Sequence, residues 1–202
     1  GRRWWVTANS DSHIHYTEGG IDFWPGEYSK TYVYALKEHA DILDGIRQGR
    51  VFVTTGDLVS ELYLTVSQES SQAAMGGELS LKDGQLIEVL VRLKDPDNKN
   101  SAGRNPSVAR VDLIVGKLTG LGKNLDRDEH KSVQVVKRFT RENWKEKNGY
   151  TEIRHSLKLD GPSYLRVRGT NVAKELEPEP DKLGEDPWTD LWFYSNPVFI
   201  RR

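Results

Sequence analysis

Asp11, His13 and His15 occupy alternate positions in the segment NSDSHIHY. In an extended chain all three side chains point to one face. A carboxylate beside neutral imidazoles suits a zinc, manganese or iron ion. The three residues alone leave a hydrolytic centre incomplete, because such centres use three or more protein ligands per ion and keep a position open for water. The remaining histidines do not complete it. His39 opens a helical segment, His130 sits in a charged loop and His155 falls within a strand, so each reads as a surface or packing residue.

The elements that must position these residues are mostly strands. Only HADILDGIRQGR has helical spacing, with Ile42, Leu43 and Ile46 on one stripe and Gly49 where a helix is expected to stop. After it come VFVTT (51–55), ELYLTV (61–66), LIEVLVRL (86–93), ARVDLIVGK (109–117), KSVQVVKRF (131–139), TEIRHSLKL (151–159), SYLRVRGT (163–170) and LWFYSNPVFI (191–200), all rich in β-branched or aromatic residues. Turn residues separate several of them, at Lys82-Asp83-Gly84, Asp95-Pro96-Asp97, Asn148-Gly149 and Asp160-Gly161-Pro162. In 86–93, Val89, Val91 and Leu93 alternate with Glu88 and Arg92, which gives one buried and one wet face. The expected fold is mainly β, an antiparallel Ig-like sandwich. Trp188, Leu191, Trp192, Phe193, Tyr194, Val198 and Phe199 are expected in its core, and Asn196-Pro197 marks a bulge or an edge, since proline cannot donate to a ladder.

Composition removes several functional classes. The 202 residues carry 29 Lys and Arg against 30 Asp and Glu, a net charge of -1, and no cysteine. No general electrostatic pull toward nucleic acid or an anionic membrane exists at that balance. No apolar run approaches the roughly 18 to 20 residues that span a bilayer, and GRRWWVTANS lacks a signal-peptide core. A soluble chain is expected, with bacterial cytoplasm and export both left open. Without cysteine there is no disulfide, thiol catalysis or cysteine-ligated zinc.

Long polar stretches lie at 94–108, 117–130 and 171–190. Within residues 174–190 seven acidic residues face two lysines, a balance of -5. A solvated loop is the simplest reading, and a cation or a basic partner the alternative. RFTRENWKEK interleaves basic residues with Trp144 but is short and holds two glutamates, so no nucleic-acid partner is expected.

Taken in order, NSDSH, the loop GGIDFWPGEYSKTYVYA and ILDGIRQGRVFVTTGDL resemble the last part of a metallohydrolase of the PHP (polymerase and histidinol phosphatase) superfamily. ARVDLIVGK, YLRVRG and YSNPVFI extend the resemblance along nearly the whole chain. The resemblance implies a short α/β remnant of a PHP barrel over residues 1–57, followed by an accessory β-sandwich over 58–202. It assigns metal ligation to Asp11 and His13, with His15 standing behind them. It places Trp24, Glu27 and Tyr28 at the mouth of the parent site. Asp57 stands where the family has proline after the glycine.

The family's N-terminal His-x-His pair, its middle ligands and most barrel strands have no counterpart. His13-Ile14-His15 mimics that first pair, but Asp11 fits Asp-x-His better and no downstream ligand set follows. The resemblance thus implies the C-terminal portion of a longer phosphoesterase or hydrolase. Its partners would be the rest of the barrel and a small phosphorylated or ester substrate, with a homo-oligomer left open. Manganese, zinc or iron would serve the parent enzyme, and this chain alone would bind metal weakly and not turn over. The alternative is a non-catalytic carbohydrate- or protein-binding sandwich, which exposed coplanar aromatics would favour.

Overall fold

The computed structural model describes residues 3–10, 12, 23–81, 86–120, 131–174 and 185–201. The described chain is mainly β. Its elements in order are β1 (Ser29–Val33), α1 (His39–Arg47), β2 (Val51–Thr55), β3 (Glu61–Gln68), β4 (Ser71–Ala74), β5 (Glu78–Ser80), β6 (Leu86–Lys94), β7 (Arg110–Lys117), β8 (Val133–Thr140), β9 (Lys145–Lys147), β10 (Tyr150–Lys158), β11 (Ser163–Thr170), β12 (Trp192–Ser195) and β13 (Val198–Arg201). The single described α-helix is the one that the spacing of Ile42, Leu43 and Ile46 marks out.

Two sheets share these strands. The smaller runs β4-β3-β6-β10-β9, and the larger runs β1-β2-β12-β11-β13-β5 with β7 and β8 attached beyond β11. Among the described strands only the pairing of β13 with β5 is parallel. Leu62, Leu64 and Val66 of β3, Val89 and Val91 of β6 and Ile153 of β10 meet Leu113, Leu165, Val167 and Phe193 of the larger sheet in one buried cluster. Alternation places them there. β3 and β6 bury every second side chain, because successive residues of a strand point to opposite faces.

Local chemistry fixes the connections. The last turn of α1 closes as a Schellman motif, with the Gly49 amide donating to the Ile46 carbonyl (3.1 Å) and the Arg50 amide to that of Gly45 (2.9 Å). Gly49 takes φ 71°, and a Cβ there would overlap the Trp5 indole. Between β9 and β10, Asn148 and Gly149 both have positive φ, 52° and 77°, as a two-residue primed hairpin turn requires.

The segment 191–200, read from sequence as one strand, is two. Three steps along β11, from Leu165 to Arg168, face four steps from Val198 back to Tyr194, so one extra residue is absorbed around Asn196-Pro197. Strands β1, β4, β5 and β9 were not expected. β2 pairs with both β1 and β12, so chain from either side of residue 57 builds the larger sheet. No helix among the described residues is long and apolar enough to cross a membrane.

Candidate functional site

Residues 3–10 form an arm laid on the larger sheet and gripped through its backbone. The Val6 amide donates to Oδ1 of Asn196 (2.8 Å), and Nδ2 of Asn196 donates back to the Val6 carbonyl (3.4 Å). Thr31 Oγ1 accepts from the Ala8 amide and donates to the Ala8 carbonyl, both at 2.8 Å. Trp5 Nε1 donates to the Arg47 carbonyl (2.8 Å), and its ring meets Phe199 edge-on at 6.0 Å. Asn196 is fully buried, and each of these bonds satisfies a backbone group that has no ladder partner.

The arm leads directly into the Asp-x-His motif. Asp11, His13 and His15 lie outside the described residues. Ser10 and Ser12, on either side of Asp11, are described, and the Ser12 amide approaches Ser10 Oγ at 3.3 Å. Ala8, Asn9 and Ser10 form one wall of a cleft of about 440 Å³, whose other wall is Pro25, Gly26, Lys30 and Tyr32. Lys30 is the cation lining this cleft, and its Nζ pairs with Asp57 Oδ1 at 2.5 Å. Burial first, and then the Asp57 carboxylate, raise the Tyr32 hydroxyl above its ordinary range, with Lys30 opposing.

Asp57 stands in a turn whose backbone excludes proline. It takes φ 54°, directly after Gly56 at φ 55°. A proline ring fixes φ near -65°, so this turn excludes it. The left-handed turn aims the Asp57 carboxylate at Lys30 instead.

Trp24, Glu27 and Tyr28 sit in the turn beside the cleft, of which Pro25 and Gly26 form part of the wall. Glu27 closes that turn, its amide donating to the Trp24 carbonyl and its carboxylate accepting from the Trp24 amide, both at 2.9 Å. Tyr28 turns away to stack on Phe23 (4.6 Å), meets Trp188 edge-on (5.1 Å) and donates to the Pro187 carbonyl (2.8 Å). Trp24 remains 57% exposed.

The other residues noted from sequence are dispersed. His39 begins α1. His155 lies in β10 with its ring edge-on to Phe139 at 5.5 Å, and burial followed by Lys137 lowers its pKa. His130 and acidic residues 175–181 lie outside the described residues. Asp186 pairs with Arg104 at 2.5 Å. Trp144 packs against the core rather than forming a stacking platform. Among the described residues no group of three His, Asp or Glu side chains could hold a metal ion.

Sequence reasoning missed Asn196 and Thr31, which hold the arm, and the Lys30–Asp57 pair. The sequence shows only an asparagine beside apolar residues, which does not say what it grips. No family model, curated protein or solved structure matches the chain.

Proposed function

We propose that this chain is the C-terminal region of a PHP-like metal-dependent phosphoesterase or hydrolase, in which Asp11 and His13 supply the last metal-ligand pair. An Ig-like sandwich serves as accessory domain. The observation that supports the reading most is the arm. Asn196 and Thr31 tether residues 6–8, three to five residues before Asp11, beside a cleft with a lysine in its wall. A ligand pair that must meet partners from another body needs such a fixed approach.

The donor set fits a divalent ion in type, since carboxylate and imidazole oxygen and nitrogen suit manganese, zinc or iron, and falls short in number. In the parent such ions activate water and stabilise developing negative charge. In this chain Asp11 and His13 would hold the ion, His15 would steady them, and the Lys30 ammonium would attract an anionic ester into the cleft. The rest of the parent barrel is the partner, and turnover belongs to the assembled enzyme.

Calorimetric titration of MnCl2 and ZnCl2 into the metal-free chain tests this. Weak binding that disappears in the Asp11→Ala, His13→Ala double variant, with no hydrolysis of bis(4-nitrophenyl) phosphate, is expected. Equal binding by both chains would remove the metal role of the motif. Robust turnover abolished by Asp11→Ala would show instead that this chain is an enzyme by itself.

One observation favours the second reading, a carbohydrate-binding module. Trp192 and Tyr194 stack at 6.1 Å and 22° on the outer face of the larger sheet, with the Arg168 guanidinium 5.7 Å from the Trp192 ring. Both rings are half-buried, which limits the platform they offer. A glycan-array signal lost in Trp192→Ala would favour it.

A further inference from the structure

Strand β8 pairs with β7 on one side, and among the described residues no strand pairs with its other side. Every residue from Val133 to Arg138 is exposed, and Val133, Val135 and Val136 are open at 37, 37 and 42%. An edge strand in that position offers unpaired backbone donors and acceptors to a chain laid beside it.

Register settles which groups face outward. The Lys117 amide donates to the Ser132 carbonyl at 3.1 Å, so these two residues form a hydrogen-bonded pair of the antiparallel ladder. Such pairs alternate with pairs whose backbone groups point away from each other. Gly116 with Val133 and Ile114 with Val135 are pairs of the second kind, so the N–H and C=O of Val133 and Val135 point away from β7. The register shift between Leu113 and Ile114 makes Val136 the extra residue of a bulge, and the regular edge ends there.

A cleft of about 300 Å³ lies against the same strand, where β7 and β8 meet the end of β10 and the turn after it. Val115, Leu157 and Leu159 line it together with Lys117, Lys131 and Lys158. Gln134 and Val136 are the β8 residues that reach it, so Val133 and Val135 take the opposite, outer face of the sheet.

Charge selects the occupant. Asp160 offsets Lys117 at 3.4 Å, while Lys131 and Lys158 make no ion pair among the described residues. Residues 131–141 hold Lys131, Lys137, Arg138 and Arg141 and no carboxylate. A second copy laid antiparallel on β8 would set cation against cation, which disfavours pairing of the edge with itself. An acidic strand meets the opposite balance.

We propose that β8 takes up an extended acidic segment of another protein as an added strand. Val133 and Val135 bond its backbone, its apolar residues lie beside their side chains on the outer face, and its alternate carboxylates turn into the cleft toward Lys131 and Lys158. The site shares no residue with the Asp-x-His cleft and does not depend on its reading.

Titration of the isotopically labelled chain with acetyl-EVEVEV-amide, followed by amide chemical shifts, tests the proposal, with acetyl-KVKVKV-amide as the charge-reversed probe. The acidic peptide is expected to shift the Val133 and Val135 amides most and to bind about ten-fold tighter than the basic one, the worth of two partly exposed ion pairs. Lys131→Glu combined with Lys158→Glu, both at exposed positions, should reverse that order. Val133→Pro removes an outward N–H and no bond to β7, so it should abolish binding of the acidic peptide, whereas Val133→Ala should keep most of it. Failure of both peptides to bind, equal affinity for the two, shifts centred on another edge, or an order that survives the double charge reversal would each overturn the proposal. Binding unchanged by Val133→Pro would overturn it too. A dimer of the peptide-free chain in sedimentation, dissociated by Val133→Pro, would assign the edge to a second copy instead and equally overturn it.

Discussion

Leu58, Leu62, Leu113, Leu165, Phe193 and Ile200 expose 0% of their surface, whereas Trp4, Leu36, Trp24 and Leu43 expose 76, 69, 57 and 51%. The first set belongs to the sandwich and the second to the arm, the turn beside the cleft, the β1–α1 connection and α1. In the sandwich the exposed apolar residues, Leu86, Leu118 and the valines of β8, lie at strand ends or on an edge strand. The difference teaches that the two regions are held by different forces. Apolar burial by both sheets holds the sandwich together without help. The arm is attached by directed hydrogen bonds from Asn196, Thr31 and Trp5, while Trp4 and Val6 face outward. In the proposed reading that outward face is where the rest of the barrel belongs.

Truncation separates the regions most sharply. Phe193→Ala is expected to cost about 3 to 5 kcal/mol, through lost burial and the cavity left behind. Trp4→Ala should stay within about 0.5 kcal/mol. Urea midpoints of the two variants test this, and a comparable loss in both would end the distinction. A smaller effect sharpens the account of the tether. Asn196→Ala leaves the Val6 amide without its partner, at a cost of about 1 to 3 kcal/mol. It should also release Trp5, read as a loss of chemical-shift dispersion at the Trp5 indole N–H, while the sandwich signals stay in place.

The smallest effect lies in the sandwich. Asp95 is exposed as a residue, yet burial of its carboxyl, followed by Glu146, pushes its pKa up to about 6 from an ordinary 3.8. The charged form is therefore penalised in the folded state. The penalty is absent below about pH 4, grows as pH rises toward 6 and is full above it. Asp95→Asn should raise stability at pH 7 by less than about 1 kcal/mol, given the partial exposure, and change nothing at pH 4. Urea melts at the two pH values measure it, and the opposite order would refute the stated environment.

Much of the sandwich was legible because its long strands alternate. Glu88 and Arg92 against Val89, Val91 and Leu93 can only be a strand with one buried face, and that is how β6 lies. β5 and β9 are three residues each, too short to show a period, and β4 and β1 offer little more. Residues 191–200 read as continuous because the extra residue at Asn196-Pro197 is a matter of pairing with β11, which sequence does not carry. For the candidate site, residue types alone picked out Asp11, His13 and His15. The grip on the arm was not legible, since Asn196 reaches Val6 across 190 residues and bonds its backbone, where side-chain pattern says nothing. Asp57 drew notice only through the resemblance, and what the structure adds is its left-handed φ.

The central claim is that Asp11 and His13 form an incomplete metal site delivered by the tethered arm. Adding MnCl2 to the isotopically labelled chain and following paramagnetic broadening of backbone amide signals tests it most directly, because broadening locates even weak binding. Selective loss of the Ala8, Asn9, Ser10 and Ser12 signals, absent in the Asp11→Ala, His13→Ala double variant, is the expected result. Broadening centred elsewhere, or unchanged by the double substitution, would contradict the claim.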